Sequence, residues 1–282
     1  MTTIVAIHGV WNHRRGMAPS VAAQSLASDW SRALGEGPFG ALPEGTAVTA
    51  AYYAHRLRRP GSQAGEEEDP DRLSPLARTL VGQWLDEVEA RPGTPQGALT
   101  RQVRQDLARF ATRWGPNRLM FERAIAALFG EVARYLDPDT PNRVLARTEV
   151  ANAIAAANRD GATVVLAHSL GSVVTYETLH AYPQLVVDHL ITVGSPLALP
   201  QAVFHRLSPA PTPRGARPPN TRRWTNIADK GDVIAVPARG VRDNFDGVDH
   251  DSETAIHIMD FHLAANYLST QAVADALSHT IE

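Results

Sequence analysis

TVVLAHSLGSVVTYETL, residues Thr163 to Leu179, decides how the rest of the chain is read. A β-branched apolar run, Thr163 to Ala167, stops at His168-Ser169-Leu170-Gly171, and a helix-compatible run follows at once. A short apolar run bounded by a turn signal reads as a buried strand. In a parallel sheet, ligands bind beyond the carboxyl ends of the strands, and Ser169 sits at such an end. Two readings of this serine are open. It caps the helix, since serine is a favoured N-cap. Or a sharp strand-to-helix turn holds it strained and exposed, so that its hydroxyl can act as a nucleophile. The spacing is that of Gly-x-Ser-x-Gly, with Ala167 in place of the first glycine, a change of one methyl group.

Outward from this junction, strand patterns occupy Ile4 to His8, Ala47 to Tyr53, Leu185 to Val193 and Arg223 to Ala228. Helical spacing is seen from Pro19 to Leu34, where Val21, Leu26, Trp30 and Leu34 fall near one face. Four more helical patterns, Leu73 to Ala90, Gly97 to Trp114, Pro116 to Leu136 and Asn142 to Asn158, follow a charged, turn-rich stretch after His55. Helical patterns also follow the strands at Thr163 and Leu185, and a last one runs from Thr270 to Leu277. Strands alternating with helices predict an α/β fold, a mostly parallel central sheet with helices on both faces. The chain is expected to form a single domain over 1–282, with 55–160 a helical insertion, either a cap or ordinary crossover helices.

The 282 residues are 44% hydrophobic, enough for a substantial core, and the net charge is −3. So small a charge gives no reason to expect a nucleic-acid or anionic-membrane partner. There is no cysteine, which excludes disulfides, thiolate metal sites and a thiol nucleophile. The start, MTTIVAIHGV, has no basic region and its apolar run is too short for a signal sequence. No apolar stretch is long enough to span a membrane. These features predict a soluble, cytoplasmic protein; they carry no signal for the oligomeric state.

Acyl transfer needs two N–H donors for the oxyanion of its tetrahedral intermediate. Leu170, the residue after the serine, is one candidate. Val10, just after the strand that ends in His8-Gly9, is the other. The acid candidates are Asp229 and Asp232, at the end of the strand from Arg223; the Gly231-Asp232 turn before Val233, Ile234 and Val236 favours Asp232. The order serine, acid, histidine leaves His250, His257, His262 and His279 as possible bases. His262 is favoured because it stands just before a helix-like segment, and His257 is its rival. His250 lies in the acidic, turn-rich FDGVDHDSE and reads as solvated or as an ion ligand.

With these motifs, the chain resembles the α/β-hydrolase superfamily and within it the bacterial lipase and esterase branches. The resemblance rests on His8-Gly9, Ala167-His168-Ser169-Leu170-Gly171, Gly194-Ser195-Pro196-Leu197, the stretch Asn226 to Val233, and His262. It covers Thr2 to Tyr53 and Thr163 to Tyr267. It implies a Ser–His–Asp triad with no metal and no organic cofactor. Ser169 would attack an acyl carbonyl, His262 would act as base and then acid, Asp232 would orient His262, and Val10 and Leu170 would hold the oxyanion. Trp11, His168, Pro196 and Leu197 would line the substrate site. Ser195 is a rival nucleophile only in name, since Pro196 has no N–H to offer.

The expected partner is a small acyl substrate, hydrophobic if apolar side chains of the helical insertion are exposed. An acyltransferase, thioesterase or macrolactone-forming enzyme would use the same acyl-enzyme, and a catalytically silent fold would serve binding. A metal-dependent alternative would draw on His8, His13 and the stretch Asp246 to Asp251, which lack a recognised ligand spacing.

Overall fold

Each β-branched run of the sequence becomes a strand of one sheet. The computed structural model describes residues 1–40, 42, 45–58, 69–89, 106–237, 239–256 and 262–281. Its strands are β1 (Thr2–Ile7), β2 (Thr46–Ala51), β3 (Ala162–His168), β4 (Val187–Val193), β5 (Thr221–Asp229) and β6 (His250–Thr254). They line up in the order β2-β1-β3-β4-β5-β6, and every neighbouring pair is parallel. The fold is therefore α/β, as the alternation of patterns predicts.

Side chains alternate across each strand, so each strand feeds two cores. Val5, Ile7, Val165, Ala167, Leu190 and Trp224 belong to one face, and Ile4, Ala6, Val164, Leu166, Ile191 and Ile227 to the other. The first face is covered by α2 (Pro75–Val88), α3 (Arg118–Leu136), α4 (Asn142–Asp160) and α5 (Leu170–Ala181). The second is covered by α1 (Pro19–Glu36), with α7 (Ala264–Leu268) and α8 (Gln271–Ile281). A short helix, α6 (Gly240–Asn244), precedes β6. Among the described residues, no helix is long and apolar enough to cross a membrane.

Three sequence expectations are corrected. In α1 the buried stripe is Ala22, Leu26, Trp30 and Leu34, at strict i, i+4 spacing, while Val21 is half exposed. The helix expected after β4 is absent: residues 194–220 hold only a 3₁₀ turn, Phe204–Arg206. Seven prolines between Pro196 and Pro219 remove the amide donors that a helix needs. Conversely, His250 is exposed as expected but does not lie in a loop: it begins β6, paired with Thr225 of β5. Its polar sequence, HDSET, suits an edge strand, where charge discourages further pairing.

The segment from residue 55 to residue 160 is not a detached cap where it is described. α4 packs on β1, β2 and β3, and α2 and α3 share the core cluster of the first sheet face. Trp84 on α2 is fully buried and donates its indole N–H to the Val233 carbonyl at 2.7 Å.

The chain goes from β1 to β2 on one side and from β3 to β6 on the other. The reversal falls between the carboxyl ends of β1 and β3, and a reversal of this kind opens a crevice above the sheet. His8-Gly9-Val10 leaves one of those ends, and Ser169 leaves the other.

Candidate active site

Ser169 joins β3 to α5 with φ 54° and ψ −128°, a conformation that L-residues rarely adopt. The geometry speaks against the capping role, since its side chain makes no capping hydrogen bond. Two glycines make the turn fit. A Cβ on Gly171 would stand 2.5 Å from the His8 carbonyl oxygen, so only glycine lets α5 come this close to β1. A Cβ on Gly9 would stand 2.7 Å from the Ser169 Cβ. This close approach has a consequence that the sequence motif does not reveal. The serine expected to stand exposed is covered by its neighbours, with only 1% of its surface accessible.

The Ser169 Oγ lies 2.5 Å from His262 Nε2, and His262 Nδ1 lies 2.7 Å from Asp232 Oδ2. The imidazole and the carboxylate are wholly buried. Burial raises the Asp232 pKa, but the His262 ring, the Tyr267 hydroxyl and the Ile234 N–H more than offset it, and hold the group at about 2. Asp232 is thus ionised at neutral pH and can only accept hydrogen bonds. It follows that His262 Nδ1 carries a proton and donates it to Asp232, which leaves Nε2 as the ring nitrogen that faces the Ser169 hydroxyl.

Asp232 is held at both oxygens. Oδ1 accepts from the Ile234 N–H at 2.8 Å, and Oδ2 from the Tyr267 hydroxyl at 2.7 Å. Tyr267 sits on α7, five residues after His262, and no motif singled it out. Gly194 makes room for it: with φ at 55°, a Cβ there would stand 2.9 Å from the Tyr267 ring and 3.2 Å from Asp232 Oδ2. The other acid, Asp229, does not touch the histidine. Its two oxygens accept from Ile256 and Gly231 backbone N–H groups and brace the turn that presents Asp232.

Among the other histidines, His257 lies outside the described residues. His250 and His279 belong to β6 and α8, away from Ser169. His168 is buried beside the site, its ring 4.9 Å from the His262 ring, and neither of its nitrogens has a hydrogen-bond partner among the described residues. Burial, then the neighbouring His262, keep it well below the usual histidine range, so it is neutral.

The remaining expected residues divide. Val10, next to the Gly9 that packs on Ser169, and Leu170, next to Ser169 in the chain, are both buried, and neither N–H has a partner among the described residues. Trp11 is 37% exposed and faces a cavity of about 430 Å³ together with Leu119, Met120, Arg123, Ala124 and Ala127. Leu119 and Met120 are 62% exposed, unlike most apolar residues of α3. Pro196 and Leu197 are buried, and Leu197 belongs to the core rather than to this cavity. Ser195 Oγ pairs with Ser172 Oγ at 2.7 Å, not with a histidine. A second cavity, of about 460 Å³, lies under β5, β6 and α8; neither cavity is lined by Ser169, His262 or Asp232. Among the described residues, no group of three or more His, Asp or Glu side chains could hold a metal ion.

No family model matches the chain, and a search of the curated proteins finds no match to it.

Proposed function

We propose that the protein is a serine hydrolase that cleaves carboxylic esters through an acyl-enzyme on Ser169. The observation that carries this reading is the unbroken, buried hydrogen-bond chain from Ser169 to His262 to Asp232. Such a chain has one chemical use that a core packing role does not need: it removes a proton from a hydroxyl and stores the positive charge beside an ionised carboxylate.

In the proposed reaction the Ser169 Oγ attacks the ester carbonyl, and its proton passes to His262 Nε2. The C–O bond that forms leaves an oxyanion, which the N–H groups of Val10 and Leu170, unpaired among the described residues, can receive. Donors fixed before the reaction are worth roughly 10²–10³-fold in rate each. Collapse of the intermediate breaks the C–O bond to the alcohol, which takes the proton from His262. Water, deprotonated by the same nitrogen, then attacks the acyl-enzyme; the acid leaves and Ser169 regains its proton. The cavity lined by Trp11, Leu119, Met120 and Arg123 holds none of the triad residues but begins one residue after Val10, and its mostly apolar lining favours a hydrophobic acyl group, since pockets for small molecules are mostly apolar with a few fixed polar groups.

The test is peptide mass analysis after treatment with a fluorophosphonate, on wild type and on His262→Ala. The Ser169 Oγ–P bond should form with loss of fluoride, on that serine alone, and should be strongly slowed in the variant. No adduct on the folded wild type overturns the reading. Recovery of free acid from a chromogenic ester then separates hydrolysis from acyl transfer.

A further inference from the structure

The two peptide units that flank Val10 contain four polar groups, and three of them are held by side chains. The Gly9 carbonyl accepts from His8 Nδ1 at 2.7 Å and from Asn12 Nδ2 at 3.2 Å. The Val10 carbonyl accepts from the same Asn12 nitrogen at 2.8 Å. The Trp11 N–H donates to Glu131 Oε1 at 3.0 Å, across 120 residues of sequence. The fourth group, the Val10 N–H, has no partner among the described residues. A trans peptide is planar, with its C=O and N–H pointing in opposite directions. Holding the Gly9 carbonyl therefore aims the Val10 N–H the other way, and holding both ends of the next peptide keeps the first from flipping.

The clamp works against a backbone that would not stay there unaided. Trp11 has φ 64°, a left-handed conformation that is costly for a bulky residue. Glu131 lies in the interior of α3, only 9% exposed, where an acceptor without a donor would be penalised. His8 is fixed in one tautomer: Nε2 accepts from the Tyr53 N–H at 3.2 Å, so Nδ1 carries the proton that Gly9 receives. The ring stacks on Tyr53 at 4.2 Å between centroids.

We infer that Glu131 and Asn12 are positioning residues that lock the Val10 N–H into the oxyanion site before substrate arrives. This rests on the serine-hydrolase reading above and adds to it that α3 takes part, through Glu131, in transition-state binding. Neither residue touches the substrate; each acts through the backbone it holds.

The test measures Ser169 labelling by a fluorophosphonate, resolved into its limiting rate kinact and its binding constant KI. Phosphonylation, like ester attack, develops negative charge on an oxygen at the oxyanion site. Glu131→Leu should lower kinact by about two orders of magnitude, as loss of one oxyanion donor does, with KI changed less than about threefold. Glu131→Gln keeps an acceptor oxygen for Trp11 and should retain kinact within about fivefold of wild type, a rescue that a general loss of packing would not show. Asn12→Ala, at a half-buried surface position, should lower kinact by about tenfold, and it decides the matter if Glu131→Leu does not fold. A folded Glu131→Leu with kinact within threefold of wild type overturns the inference, as does a loss carried by KI, or a Gln variant as slow as Leu. Unchanged kinact in Asn12→Ala overturns it too. Wild type that takes no label at all fails the serine-hydrolase reading itself, and the clamp with it.

Discussion

Tyr267 and His262 donate to the same oxygen, Asp232 Oδ2, each at 2.7 Å. The two bonds hold the carboxylate in one orientation and help to keep it ionised. The Tyr267 oxygen in turn accepts from the Asp229 N–H at 2.9 Å, which ties it to the end of β5. Tyr267→Phe removes both bonds and keeps the ring that fills the space beside Gly194. The expected outcome is a fall of about tenfold in ester turnover or in Ser169 labelling, in the range found for hydrogen bonds to charged groups. Circular dichroism should be unchanged. Turnover equal to wild type would show that the bonds from His262 and the Ile234 N–H suffice to orient Asp232.

The two acids should separate cleanly. Asp232→Asn leaves the shape intact but no longer favours the His262 tautomer that accepts from Ser169, and should lower turnover by about 10⁴-fold. Asp229→Asn disturbs a backbone brace and should cost stability while turnover stays within about tenfold. Parallel kinetics and urea melts of the two variants check this. A collapse of turnover in Asp229→Asn alone would reverse the assignment.

Acid should destabilise the protein in two windows. Burial holds His8 at about 4, and burial aided by the Arg223 charge does the same for His189, against the ordinary 6.5. The unfolded chain therefore binds protons at these sites below pH 6.5 that the folded chain refuses until about pH 4. Stability falls as pH drops through that interval, and these groups add no further loss below it. Asp232, held at about 2 against an ordinary 3.8, stabilises the fold fully above 3.8 and loses that contribution as pH falls toward 2. Urea midpoints between pH 7.5 and 4 should fall, and His189→Gln should show a shallower slope. A midpoint constant over that range would contradict the neutral, buried state of these histidines.

A separate polar cluster ties the helices of the first face together. Glu177 on α5 is fully buried and is met by Arg143 of α4, by the Tyr135 hydroxyl of α3 at 2.6 Å and by the Ser208 N–H at 3.0 Å. Arg143→Met should destabilise the protein by about 3–5 kcal/mol, because it strands a buried carboxylate. The double variant Arg143→Met, Glu177→Leu should recover much of that loss. Thermal melts of the single and double variants check the coupling, and additive losses would exclude it.

Much of the architecture is legible in the residues because local physics decides it. The runs Ile4 to Ile7 and Val164 to Ala167 are apolar in both alternating positions and rich in β-branched residues, which suits a strand covered on both faces. The edge strand β6 is not legible in this way. HDSET has no apolar face, and it extends only because β5 offers it an open row of hydrogen-bonding groups. The missing helix after β4 is the reverse case, an apolar pattern overruled by its prolines.

By itself, the sequence determined the strand–turn–helix at Ser169, the small residues Ala167 and Gly171 on either side of it and the order in which serine, acid and histidine follow one another. These depend on residues a few positions apart, where chain geometry leaves little choice. Only the tertiary structure decided which groups meet. Ser169 and His262 stand 93 residues apart and come within 2.5 Å. The structure buried the serine that the motif alone would expose, brought Tyr267 to Asp232 and carried Glu131 to the Trp11 N–H. The reason is physical: a hydrogen bond between distant residues is set by the packing of whole helices and strands, and no local pattern records where those elements come to rest.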